Sequence, residues 1–543
     1  MKRRKFLQIT VAGGSALALT GGLTSCTKPE TEGETAFANA AKPFELDEMT
    51  ISDLQAGMQS GKYTARSITE MYLERIDEID KQGPSLNAVI ELNPDALSIA
   101  DKLDNERKEN QVRGPMHGIP VIIKDNIDTA DKMTTTAGSL ALKGSIPGQD
   151  SFVAQKLREA GAIILAKANL SEWANFRSSR STSGWSGRGG QARNPYALDR
   201  NPCGSSSGSG VAVAANLCAV AIGTETNGSV VCPSSANGIV GIKPTVGLVG
   251  RSGIIPIAHT QDTAGPMART VSDAAVLLGA LTGIDPRDET TKQSEGKSHR
   301  DYTQFLDLQG MKGARIGVAR NYFGFHDKVD KLMEGAIAAM KEAGAIVVDP
   351  ADIETRRKYG NSGFEVLLYE FKTNLNKYLA GLGNDVAVHS LQELIEFNEA
   401  NKEAEMPYFG QEILIQAQEK GDLTSPEYKE ALEKILRLSR DEGIDATLSK
   451  HELDAIVAPT GGPAWVTDWV NGDHFSGGSS SPAARAGYPN ITVPAGFVHG
   501  LPVGISFFSS AYSEPLLIKL AYSFEQATKH RNPPQFLASV DFG

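Results

Sequence analysis

Apolar positions along this chain follow two rhythms, and the rhythms alternate. Ile68, Met71, Tyr72, Ile76 and Ile79 recur three and four apart, the spacing of one helix face. With Thr50 or Ser52 as a cap they predict two helices over residues 50–81. Ala96, Leu97, Ala100 and Leu103 predict another over 94–108. Further helices are expected over 151–160, 211–218, 271–281, 426–442, 481–488 and 516–527. Between them stand short, mostly apolar runs at 121–123, 162–166, 219–222, 453–459, 491–494 and 500–508. Runs of that length read as buried strands. Strands alternating with helices predict an α/β architecture. The run at 121–123 would deliver Lys124 at its end. No uninterrupted apolar run reaches about 18 residues, so the pattern indicates no internal membrane span.

The first residues follow neither rhythm. Lys2-Arg3-Arg4-Lys5-Phe6-Leu7 resembles a twin-arginine export signal, a modest apolar stretch follows, and Leu23-Thr24-Ser25-Cys26 resembles a lipobox. The expected organisation is an export signal at 1–26 with lipid on Cys26, a flexible tether at 27–45, and a single domain from 46 to 543. The full chain carries a net charge of −11, and losing the four basic residues of the leader takes it to about −15. So acidic a body does not suit nucleic acid, whose phosphates demand a basic face. It offers no attraction to anionic lipid either, so any membrane hold must come through Cys26. Cys203, Cys218 and Cys232 remain, with no C-x-x-C pair to suggest a metal or redox site. Twin-arginine cargo folds in a reducing compartment, so these three are expected as small buried thiols rather than as a Cys203–Cys232 bridge.

Residues 204–244, GSSSGSGVAVAANLCAVAIGTETNGSVVCPSSANGIVGIKP, concentrate the chemistry. Two Gly/Ser clusters flank a run of small apolar residues. Two readings fit. One is a Gly/Ser-rich surface loop. The other is a pair of turns that hold a nucleophilic serine beside backbone N–H groups able to bind an oxyanion. The later block Thr226-Asn227-Gly228-Ser229 follows a buried run, as that second reading requires.

Taken together, these blocks resemble the amidase signature family of serine hydrolases. The resemblance rests on Gly118-Ile119-Pro120-Val121-Ile122-Ile123-Lys124-Asp125-Asn126, on Cys203-Gly204-Ser205-Ser206-Ser207-Gly208-Ser209, on Gly223-Thr224-Glu225-Thr226-Asn227-Gly228-Ser229, and on Gly238-Ile239-Val240-Gly241-Ile242-Lys243-Pro244-Thr245. It runs from about Leu46 to the C-terminus. It implies an amidase signature fold, a central mixed β-sheet covered by helices on both faces. The signature core is expected at about 117–270, and a charged, helical region at about 285–451 would shape the substrate entrance. It also implies a triad: Ser229 as nucleophile, Ser205 as bridge after a cis peptide, and Lys124 as base, with no metal or other cofactor. Backbone N–H groups of Thr226, Asn227, Gly228 and Ser229 would form the oxyanion hole. Ala174 and Phe176, in the aromatic, Gly/Ser-rich loop at 169–196, would contact substrate. For Phe176, as for Trp173 and Trp185, packing in the core is an equal reading. Asp262 and Gly265-Pro266 look structural.

An amide nitrogen leaves only if protonated, so such a site must both activate a serine and supply a proton. Lysine can be the base only when neutral, which requires burial to lower its pKa by several units from about 10.4. Two positions depart from the family pattern. Asn227 replaces Gly or Asp, which leaves a backbone donor intact. Val231 replaces an Arg, which removes a structural charge pair. Within the family, Ser171 to Arg177 and Gly187 to Gln191 look most like bacterial peptide amidase, which implies small amides or peptide C-terminal amides as substrates. Three rivals stand beside this reading, one of them a non-catalytic binding protein on the same scaffold, which the presence of all three catalytic positions argues against. A Ser–His–Asp esterase would use Ser206 of Gly204-Ser205-Ser206-Ser207-Gly208. A glutaminase subunit of a tRNA-dependent amidotransferase would need cytoplasmic partners, which the export signal argues against.

Overall fold

A computed structural model describes residues 43–383 and 385–542. The leader, Cys26 and most of the tether lie outside the described residues. Among the described residues, thirteen strands form in chain order: β1 (Val89–Leu92), β2 (Pro120–Lys124), β3 (Ile163–Ala168), β4 (Trp185–Ser186), β5 (Gly190–Gln191), β6 (Val220–Glu225), β7 (Val240–Lys243), β8 (Thr263–Ala268), β9 (Arg315–Val318), β10 (Ile346–Val348), β11 (Ala455–Pro459), β12 (Asn490–Val498) and β13 (Leu501–Phe508). Strands β4 and β5 pair as a separate ribbon. The other eleven make one sheet in the order β1-β3-β2-β6-β8-β7-β12-β13-β11-β9-β10. Strand β2 runs parallel to β3 and β6, whereas β8, β7, β12 and β13 run antiparallel to their neighbours. The sheet is therefore mixed, as the resemblance implied, and helices pack against it.

The apolar rhythm places most elements. Thr50 caps the helix Ile51–Ser60 in a reciprocal arrangement with Asp53. The runs at 121–123 and 219–222 are the buried centres of β2 and β6, where every residue is hidden from solvent. The helix expected at 211–218 lies earlier, at Ser207–Ala214. It starts inside the Gly/Ser cluster, and Asn216, at φ +56°, turns the chain out of it. Leu217 and Cys218 are buried because they feed β6, not because they continue a helix.

The region at 285–451 is not helical throughout. It contributes β9 and β10, which extend the sheet at one edge. Four and three residues are too few for a period of two to stand out among charged helices. Strand β1 at the opposite edge is equally short and grades from buried Val89 to exposed Leu92, with no alternation to mark it. Among the described residues, no helix is long and apolar enough to cross a membrane.

Candidate active site

Parallel strands β2 and β6 end side by side, and each delivers a polar group at its carboxyl end. From β2 comes Lys124, fully buried, whose Nζ lies 2.7 Å from Ser205 Oγ, 2.9 Å from Thr224 Oγ1 and 3.3 Å from the Thr224 carbonyl oxygen. Those three contacts match the three N–H bonds of an ammonium. On deprotonation one becomes a lone pair, to which the hydroxyl of Ser205 or of Thr224 can donate. Burial pulls the Lys124 pKa down to about 7, against the pull of Asp262 and Glu225, which favour the charged form. Asn126 donates to the same Thr224 hydroxyl oxygen at 3.0 Å and so fixes the strand end from the other side.

Ser205 is buried on the turn that opens the helix Ser207–Ala214, and the Gly204–Ser205 peptide is cis. Only glycine fits at 204: a Cβ there would come within 2.2 Å of Ser171 Oγ. The Ser205 carbonyl accepts from Ser171 N–H at 3.1 Å. Ser206 N–H in turn donates to the Ser229 carbonyl at 3.1 Å, which ties the two serine-bearing turns together. The Ser206 hydroxyl is committed elsewhere. It donates to the Thr224 carbonyl at 3.0 Å and accepts from Thr224 N–H at 3.1 Å, a buried clamp on β6. Among the described residues, no histidine hydrogen-bonds Ser205, Ser206 or Ser229.

Ser229 is half-buried on the turn between β6 and the helix Val231–Ala236, after Gly228 at φ +87°. Glu225 shapes this turn: one carboxylate oxygen accepts from Val230 N–H at 2.8 Å and Val231 N–H at 3.1 Å. A backbone donor thus supplies part of what an arginine at 231 would. Asp262 braces the other side. It accepts from Thr226 Oγ1 at 2.6 Å and from the N–H groups of Ile257 and Ala258, both at 2.8 Å, and burial raises its pKa to about 6. Among the described residues, the N–H groups of Asn227, Gly228 and Ser229 find no acceptor in the protein. They are the free donors an oxyanion would need.

Asn227 is exposed, and its side chain pairs with the hydroxyls of Ser480 and Ser481. Trp173, Ala174 and Asn175 run in succession at φ +50°, +53° and +69°. This left-handed turn leaves Ala174 half-exposed on the wall of a cavity of about 320 Å³, shared with Asn126, Thr224 and Thr226. Phe176 turns the other way, into an apolar cluster against Phe371 at 4.9 Å. Trp173 and Trp185 are buried too.

The cysteine expectation requires correction. Cys203 and Cys232 form a disulfide, with Cα atoms 6.0 Å apart, and among the described residues Cys218 is left as the one buried thiol. The bridge closes because Cys203 precedes the first serine turn and Cys232 opens the helix after the second. The contact that joins those turns brings both cysteines within reach. Export route alone argued for thiols, and it carries no information about that proximity.

A mixed sheet of this order, with a buried lysine between two Gly/Ser turns, is the architecture of the amidase signature hydrolases. The chain belongs to that family: the family model described as amidase matches residues 67–518. It is 50% identical to the native peptide amidase of Stenotrophomonas maltophilia, over 91% of this chain and 100% of that one, with a TM-score of 0.87. A peptide amidase solved with the competitive inhibitor chymostatin is also 50% identical, covers 90% of this chain and 100% of its own, and superposes with a TM-score of 0.88. A probable amidase of Arabidopsis thaliana is 44% identical over 515 residues, 93% of this chain and 95% of that protein.

Several residues of the site carried no sequence signal of their own. Thr224 lies in a signature block, yet its role as shared acceptor for Lys124 and Asn126 depends on two strands meeting. Asp473 accepts from Ser183 N–H at 3.0 Å and Ser183 Oγ at 2.5 Å, and from Asn201 Nδ2 at 3.3 Å. Asn201 Oδ1 holds Cys203 N–H at 2.8 Å. A carboxylate some 270 positions downstream thereby supports the turn of Ser205, and nothing in the local sequence announces it.

Proposed function

We propose that this protein hydrolyses carboxamide C–N bonds through Ser229, Ser205 and Lys124, and that its substrates are the C-terminal amides of peptides. The observation that carries the mechanism is the 2.7 Å contact between a fully buried Lys124 and Ser205, on a turn bonded to that of Ser229. Ser229 Oγ attacks the amide carbon. Its proton passes to Ser205, whose own proton passes to neutral Lys124. The oxyanion takes hydrogen bonds from the free N–H groups of the Ser229 turn. As the tetrahedral intermediate collapses, the proton returns through Ser205 to the nitrogen, and ammonia departs from an acyl-Ser229 ester. Water then attacks the ester along the same relay, which releases the acid and restores Ser229. The substrate class is supported by similarity to peptide amidase across nearly the whole chain. Ammonia release from a peptide amide, an aryl amide and a fatty amide tests it. The peptide amide should be turned over fastest, and a protein that releases ammonia from none of them would sink the reading.

The same proposal puts this chemistry outside the cytoplasm. The twin-arginine-like leader and the lipobox-like run ending at Cys26 support export and a lipid anchor. One acyl-modified cysteine is the only hold available to so acidic a body. On fractionation, Cys26→Ala should move from membrane to soluble fractions. Unchanged membrane association would remove the anchor from the account.

A further inference from the structure

The cavity beside the Ser229 turn has a buried end and an open end. Asn126, Thr224 and Thr226, all buried, close it at the triad. Arg287, Lys377 and His259, all exposed, stand at its mouth. Lys377 comes from the helix Ser362–Leu379, and Arg287 from the segment after the helix Val271–Leu281. Ile254, Ile255 and Ile257 supply an apolar wall. Mouth and triad thus belong to one cavity.

Three carboxylates line this cavity, and none is free at the mouth. Glu225 is buried, with one oxygen on the Val230 and Val231 N–H groups. Asp262 accepts on both oxygens, from Thr226 and from the backbone of Ile257 and Ala258. Asp288 pairs with Arg251 at two points, Nε to Oδ2 and Nη2 to Oδ1, each 2.7 Å, which spends that guanidinium too. Behind the wall, Asp285 holds the Ser252 hydroxyl, and Glu370 holds Thr260 and Tyr428. The cations at the mouth differ. Among the described residues, the Lys377 ammonium has no hydrogen-bond or ion-pair partner. Arg287 Nη2 donates to the Asp150 carbonyl at 3.0 Å, and its Nε stands 3.8 Å from Asp285, which leaves most of its N–H groups unspent. His259 Nδ1 meets Asn374 Nδ2 at 3.0 Å, and burial lowers its pKa, so the ring is neutral at neutral pH.

We propose that this mouth selects peptide amides with an acidic side chain on one of their last two residues, whose carboxylate is taken by Lys377 and Arg287. The proposal rests on the peptide-amide reading above. Its sign follows from which groups are already used. An entering anion finds unspent N–H donors, whereas an entering cation finds every carboxylate of the wall buried or paired. The chain as a whole carries −11, so the mouth opposes the sign of the body around it. The position follows from size. A cavity of about 320 Å³ is at the small end of ligand pockets, and an extended chain covers about 3.3 Å per residue. A peptide acylated on Ser229 therefore brings a side chain of its last or second-last residue to the rim.

Two series of N-acetylated dipeptide amides test it, one varying the last residue and one the residue before, each with glutamate, glutamine or lysine opposite a constant alanine. Ammonia release gives kcat/KM. In at least one series the wild type should prefer glutamate over glutamine over lysine, about tenfold from end to end, the size of two partly exposed ion pairs set against repulsion. That ratio should shrink toward one in about 0.5 M salt, where exposed charges are screened. Lys377→Glu should bring the ratio to about one, and Lys377→Gln to an intermediate value. Equal rates for all three side chains in both series, a preference for lysine, or a ratio that Lys377→Glu leaves unmoved would overturn the role of the mouth and leave the amidase chemistry standing. Ammonia from none of these amides would overturn the peptide-amide reading with it.

Discussion

Lys124→Ala lowers kcat/KM on a primary amide by roughly 10³- to 10⁴-fold, because one change removes both the base for Ser229 and the proton for the leaving nitrogen. Ser205→Ala is expected to fall into the same range. Its hydroxyl is the only group placed 2.7 Å from the lysine nitrogen on the turn bonded to Ser229. The double variant should be scarcely worse than either single one, since members of one relay do not add. The pH profile separates this from general damage. Below about pH 7 Lys124 is an ammonium and cannot accept a proton, and above it the amine is free. Wild-type kcat/KM should therefore fall as pH drops through about 7, and that limb should vanish in Lys124→Ala. A Lys124→Ala protein with near-normal amide turnover, or a limb that persists in it, would remove lysine from the mechanism.

Burial sets this titration, and burial was legible only in part. The apolar run before Lys124 announced a strand, and the signature blocks announced which serines would meet it. Neither could say that Thr224 bonds the amine and Asn126 bonds Thr224, since β2 and β6 are about a hundred residues apart. The same limit explains the disulfide. Cys203 and Cys232 sit two residues before one serine and three after the other, a placement that means nothing until the turns are joined by the Ser206–Ser229 backbone contact. Strands β9 and β10 failed for a different reason. They are so short that their pairing, not their side-chain pattern, makes them strands. Asp473 shows the limit most plainly, because a carboxylate in a polar loop reads as solvated until Ser183 and Asn201 are found around it.

Ser229→Ala should abolish turnover to a residual level, a loss of about 10⁴-fold or more, because no other described group on the turn can form the acyl-enzyme. Binding should survive: the N–H groups of Asn227, Gly228 and the backbone at 229 remain, so a peptide aldehyde or product acid should still associate. Ser206→Ala separates the two candidate serines. Its hydroxyl is spent on both sides of Thr224. Losing it uncouples a buried clamp, which costs about 1–3 kcal/mol of stability and leaves the chemistry in place.

The most direct measurement is to treat the protein with a fluorophosphonate and map the adduct by peptide mass spectrometry. The account predicts stoichiometric modification of Ser229, none of Ser206, and a labelling rate that rises with pH through about 7 as Lys124 gives up its proton. Modification of Ser206, or undiminished labelling of the protein after Ser229→Ala, would contradict it.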